Sequence, residues 1–216
     1  MSAELLSLFT ASFVTFFVLI DSLGVAPVFA TLTARGDAAY RREMAIKSTF
    51  VAAIIMFSFA FGGAWLMDAM HISIDAFRAA GGVLLFIIAL DMVFEKRTER
   101  REHRAEEVMD NHASDPELDD ISVFPIGIPM IAGPGSIATA MFYMSDTANW
   151  AEKGVILAAI GLNLLLTLII FLAAGPLVRL LGASVAGAMT RIFGVILAAL
   201  SVQLLIDGIK GAFSLG

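Results

Sequence analysis

Between Leu5 and Ala34 the chain reads LLSLFTASFVTFFVLIDSLGVAPVFATLTA. Its one charge, Asp21, follows sixteen uncharged residues. Uncharged runs near 20 residues signal helices that cross a bilayer. Thirty helical residues would cover about 45 Å against a hydrocarbon core of about 30 Å. The segment therefore needs a strong tilt, a kink or a break. Asp21, Ser22, Gly24 and Pro27 supply breakers, because glycine and proline disfavour a helix interior while Asp and Ser favour caps.

Five more apolar segments follow, from about Phe50 to Met67, Ala76 to Phe94, Ile121 to Met144, Val155 to Val178 and Ile192 to Ile209. The fourth of the six spans is also interrupted, by Pro125, Pro129 and Gly133-Pro134-Gly135-Ser136. The 216 residues are 59% apolar and 16% charged, more apolar than a soluble domain of this length. Apolar residues come in blocks, without the alternation of a barrel. The expected fold is an all-α integral membrane protein of about six spans, with spans one and four broken. The start, Met-Ser-Ala-Glu, lacks the basic region of a cleaved signal, so the first segment is read as retained.

The one long polar stretch, 95–120, opens as Glu-Lys-Arg-Thr-Glu-Arg-Arg-Glu-His-Arg and turns acidic around Asp115-Pro116. It reads as an extension of the third helix into water and then a solvated linker. It divides the chain into three-span units, 1–94 and 121–216, within one membrane domain. Eleven Lys and Arg fall on one side: Arg35, Arg41, Arg42, Lys47, Lys96, Arg97, Arg100, Arg101, Arg104, Arg179 and Arg191. Three fall on the other: Arg78, Lys153 and Lys210. The richer side should be cytoplasmic, which places both termini outside. Trp65 and Trp150 sit where aromatic belts belong. Three spans per half give the halves opposite orientation. One spacing relates Arg78-x-x-Gly81 to Arg191-x-x-Gly194 and also Asp21 to Pro134. This suggests two inverted 3+3 repeats, a construction recurrent in secondary transporters, with the breaks meeting near the midplane.

A carboxylate in hydrocarbon needs a polar cavity, a partner or a proton, which makes Asp21 a candidate for substrate or ion contact. The competing reading puts it nearer the interface, capping the second half-helix. Backbone groups freed at Gly24–Pro27 and at Gly133–Ser136 are tolerated only where protein or water satisfies them. The helix restarting after each break offers unpaired N–H groups and a partial positive charge, a seat for a carboxylate. Asn163 in span five either lines that site or hydrogen-bonds across helices. Asp91 reads as interfacial, Arg78 and Arg191 as anchors or salt-bridge partners, and Ala79-Ala80-Gly81-Gly82 as close helix packing.

Other chemistries find little support. Without cysteine there is no disulfide, thiol redox or thiolate metal site. No P-loop supports ATP drive. Ser136 after Gly135 has no base beside it, since His71, His103 and His112 lie at span ends or in the linker, so no enzyme is expected. Neither a cofactor nor a nucleic-acid partner is expected.

The run Phe124-Pro125-Ile126-Gly127-Ile128-Pro129-Met130-Ile131-Ala132-Gly133-Pro134-Gly135-Ser136-Ile137-Ala138 resembles the signature of the MarC family. Ile20-Asp21-Ser22-Leu23-Gly24-Val25-Ala26-Pro27-Val28-Phe29 resembles its other signature in part. That resemblance implies a bacterial inner-membrane protein and a transporter of small neutral amino acids such as glycine or alanine, coupled to Na+ or H+. It implies substrate-binding roles for Asp21, Gly24, Pro27, Pro129, Gly133, Pro134, Gly135 and Ser136, to which the residue reading adds Ser22 and Asn163. The family often reads Asp-Pro-x-Gly-Asn at the first break, where this chain has Ser22 and Val25. The expected partners are the bilayer and a small neutral amino acid, and a homo-oligomer is compatible with the pattern. Export of other small solutes and a non-transporting scaffold are the alternatives.

Overall fold

The computed structural model describes residues 3–111, 120–147 and 149–213. The described residues form helices: α1 (Ala3–Ile20), α2 (Ser22–Leu32), α3 (Ala38–Ala69), α4 (Ile74–Val93), α5 (Lys96–Asn111), α6 (Pro134–Ser145), α7 (Trp150–Leu172) and α8 (Ala174–Ala212). An irregular helical segment, Ser122–Ile131, leads into α6, with extended backbone at Phe124 and Ile128. Both residues precede prolines, which disfavour helical backbone at the preceding position. Five helices are long and apolar enough to cross a membrane, and the bent pair Ser122–Ile131 with Pro134–Ser145 makes a sixth.

The first span lies at the centre. Two thirds of its most apolar window is buried within the protein, against less than half for each of the other four long helices. Its Phe16, Ile20, Val25 and Phe29 join Met56, Ile126, Ile131, Ile156 and Ile160 in the main core. A second cluster joins Val18 and Leu19 to Leu85, Ala89 and Met92 of α4 and to Phe193 and Leu197 of α8. The outer helices leave Phe50, Phe61, Ile87, Leu165, Ile169 and Val195 exposed, an apolar surface suited to lipid. Trp65 and Trp150 are exposed near the ends of their helices.

The packing is reciprocal. α1 packs against α7, α6 packs against α3, and α4 runs along α8. Small residues make the last contact close: a Cβ on Gly82 would lie 2.7 Å from the Leu205 nitrogen, and one on Gly208 2.5 Å from that of Ala79. The Ala79–Gly82 patch is thus a packing surface, as read from the sequence.

Several boundaries move. α3 starts at Ala38, capped by Asp37 accepting from the Tyr40 amide at 2.8 Å, so Arg41, Arg42 and Lys47 are helical. Arg41 donates to the Thr33 and Ala34 carbonyls and closes the end of α2. The last span begins at Ser184, after a left-handed turn at Gly182, and so contains Arg191. The largest correction concerns the charged run. α4 does not continue into water: it stops at Val93, and Glu95 (φ 62°) turns the chain so that α5 packs back across α2, α4 and the Ser122–Ile131 segment. Arg97, Arg100 and Arg101 find partners there in the Leu19 carbonyl, Asp91 and Asp21. Asp115, Pro116 and His112 lie outside the described residues.

Candidate functional site

The first break is small. Asp21 takes left-handed backbone (φ 52°, ψ 51°), yet the helical pattern persists around it, with Asp21 N–H donating to the Phe17 carbonyl and Val25 N–H to that of Asp21. Its fully buried carboxylate caps α2 by accepting from the Gly24 amide at 3.3 Å. It also accepts from Thr190 Oγ1 at 3.1 Å and from Arg101 Nη1 at 2.8 Å. Gly24 has to be glycine here: a Cβ would stand 2.4 Å from Asp21 Oδ2 and 2.5 Å from Thr190 Oγ1. The break orphans the Leu19 carbonyl, and Arg97 Nη2 donates to it at 2.7 Å. Burial, and then the like charge of Arg101, push the Arg97 guanidinium down to about 9, so it stays charged at neutral pH. Asp21 therefore caps α2, as the competing reading of the sequence had it, and pairs with Arg101.

The second break is large. The Ser122–Ile131 segment and α6 meet at 58°. Gly133 caps α6 without a side chain, and Pro134 opens it at a position that needs no N–H. The first intrahelical bond runs from Ile137 to the Gly133 carbonyl at 3.0 Å, leaving the Gly135 and Ser136 amides without intrahelical partners. Buried Ser136 turns its hydroxyl to the Ile131 carbonyl at 3.3 Å.

A cavity of about 250 Å³ opens at this second break. It is lined by Pro129, Met130 and Gly133–Ser136, by Leu19, Ile88 and Asp91, and by Arg97, Arg100, Arg101 and Arg104 of α5. Asp91 is held by Arg100 at 2.5 Å. The breaks do meet, since a Cβ on Gly135 would lie 3.4 Å from Leu19 Cδ2. The same Cβ would lie 2.7 Å from Ile88 and 3.2 Å from Leu85, so the second break meets the C-terminal half of α4.

Of the residues picked from sequence, Pro129, Gly133, Pro134, Gly135 and Ser136 line the cavity, and Asp21 reaches it through Arg101. The others lie elsewhere. Ser22 bonds Thr167 at 2.6 Å, tying α2 to α7. Asn163 Nδ2 donates to the Phe13 and Ala159 carbonyls at 3.1 and 2.9 Å, the cross-helix alternative. Gly24 packs under Asp21, and Pro27 faces a separate small gap beside Gly182. Arg78 and Arg191 are salt-bridge partners, of Asp146 and Glu95 respectively.

Arg97, Arg100, Arg101 and Arg104 of the cavity lining, and Thr190 beside Asp21, are not singled out by the sequence motifs. A signal for the arginines exists. Positions 97, 101 and 104 follow i, i+4, i+7 spacing, which stacks them on one helix face.

A model of the MarC family of integral membrane proteins matches residues 6–213. The chain is 35% identical to the UPF0056 membrane protein MJ1677 of Methanocaldococcus jannaschii, over 96% of this chain and 98% of that one. It is 32% identical to YvbG of Bacillus subtilis, covering 93% of each chain, and 31% identical to YhcE of Escherichia coli, covering 93% of this chain and 91% of that one. No solved structure matches it. Matched from its first broken span through its last helix, the chain belongs to the MarC family of integral membrane proteins.

Proposed function

We propose that this protein is a secondary transporter of small neutral amino acids such as glycine or alanine, working in a bacterial inner membrane. One observation carries the reading: two helix breaks from different halves of the chain border one cavity of about 250 Å³ inside a membrane bundle. Irregular backbone at membrane depth belongs where it lines a cavity. The reciprocal packing of α1 on α7 and α6 on α3 is what two inverted repeats would produce, and such halves can rock about a shared site. The paired Lys47 and Asp120 hold the start of α3 beside the end of the charged stretch. That agrees with one positive, cytoplasmic face and termini on the other.

In this reading the substrate carboxylate sits on the first turn of α6. Coupling to Na+ or H+ runs through Asp21, whose oxygens are released only when Arg101 withdraws. Labelled glycine and alanine flux into proteoliposomes, with and without Na+ and pH gradients, tests both parts. Saturable flux is expected, and Asp21→Asn should uncouple it from the driving ion. Absence of flux from correctly folded protein would overturn the transport reading. Unchanged ion dependence in Asp21→Asn would remove Asp21 from coupling.

A further inference from the structure

The cavity at the second break holds more positive charge than the fold neutralises. Four arginines of α5 line it, with one acid, Asp91. Arg100 is matched by Asp91, and Arg101 by Asp21. Among the described residues, Arg97 and Arg104 have no carboxylate within ion-pair distance. Arg97 donates to the Leu19 carbonyl and the Met92 sulfur, and Arg104 lies over the Phe124 ring at 5.8 Å. The first turn of α6 lines the same cavity and begins without a side-chain cap, its Gly135 and Ser136 amides free of intrahelical bonds. Arg101 also lines the cavity, only 5% exposed, with Nη1 on Asp21 and Nη2 buried and without a hydrogen-bond partner among the described residues. A buried guanidinium donor without an acceptor costs about as much as a lost charged hydrogen bond, and such donors are normally satisfied.

We propose that this cavity binds an oxyanion, a carboxylate or phosphate group, held between the first turn of α6 and Arg101, with Arg97 and Arg104 balancing its charge. A guanidinium fork matches the planar carboxylate and the phosphate edge, and a helix N-terminus adds amides and partial positive charge. Among the described residues the only carboxylate lining the cavity, Asp91, is already paired with Arg100. The inference rests on the same cavity as the transport reading and names what grips the ligand in it, but it does not depend on flux.

Calorimetric titration of the purified full chain in detergent tests it, using sodium phosphate and sodium acetate at ionic strength held constant with chloride. Saturable one-to-one binding of at least one of them is expected. Arg104→Gln, which leaves the Asp21 pair intact, should weaken it about tenfold or more, as loss of a charged contact does. The double variant Asp21→Asn/Arg101→Gln should weaken it at least as much, and Lys210→Gln, near the far end of α8, should leave it unchanged. Competition by short-chain phosphatidylglycerol identifies a lipid headgroup as the source, and indifference to it identifies a soluble oxyanion. No saturable binding of either anion, or binding that both arginine variants leave intact, overturns the inference. Flux without oxyanion binding defeats this inference alone, and oxyanion binding without flux defeats only the transport reading.

Discussion

The two helix breaks solve the same problem in opposite ways. At Asp21 the protein supplies every partner: the carboxylate caps Gly24, Arg97 caps Leu19, and Arg101 and Thr190 complete the shell. The helix axis stays near enough to straight that α1 and α2 read as one span. At Gly133 the chain bends by 58°, no side chain caps α6, and the freed amides face a cavity. One break is filled by protein and the other is left open. A filled break fixes structure, and an open one has capacity for a ligand.

The largest effect should come from emptying the filled break. Arg101→Gln alone strands a fully buried carboxylate, a loss of about 3–5 kcal/mol. Pairing it with Asp21→Asn should restore most of that. Thermal unfolding in detergent reads both, and a single variant as stable as wild type would show that the break does not need its ion pair.

Glycine substitutions sharpen the contrast. Gly24→Ala drives a Cβ into the Asp21 carboxylate and Thr190, at a cost of about 1–3 kcal/mol. Gly135→Ala meets mainly the flexible ends of Ile88 and Leu85, so its stability loss should be smaller while its oxyanion binding and flux fall. Equal stability losses, with binding untouched at Gly135, would erase the distinction between the breaks.

The smallest effect belongs to the approach to the open break. Asp120 accepts from the Ser122 amide at 2.9 Å and pairs with Lys47 at 3.1 Å. The bond to Ser122, and then Lys47, hold its carboxyl below 3.8. A depressed pKa contributes stability in full above the unfolded value, and that contribution disappears as pH falls through the folded one. Asp120→Asn should therefore lower the unfolding midpoint slightly at pH 7, and the difference from wild type should begin to shrink near pH 3.8 and vanish only once pH has fallen through the lower folded-state value. A difference that persists at low pH would mean the Asn change acts by some route other than charge.

Both breaks were legible because each is a local event. A carboxylate after sixteen apolar residues and a Gly-Pro-Gly-Ser run contradict a uniform helix without reference to anything distant. The partners of the breaks were not legible. Arg101 stands 80 residues from Asp21, inside a run whose composition suits a solvated linker equally well. The matched spacing of Asp21 and Pro134 located the breaks but gave no measure of how wide each opens. Ser22 and Asn163 looked like site residues because polar groups in apolar spans are rare, yet each is satisfied by a neighbouring helix.

The sequence by itself determined that the chain is helical, embedded and interrupted twice, because hydropathy and the conformational limits of Gly, Pro and Asp act over a few residues. Only the tertiary structure decided which break is filled, which residues line the cavity, and that the charged run folds back to join that lining. Those outcomes depend on which distant groups satisfy a buried carboxylate or carbonyl. A low dielectric makes that pairing compulsory, while the linear order of residues leaves the choice of partner open.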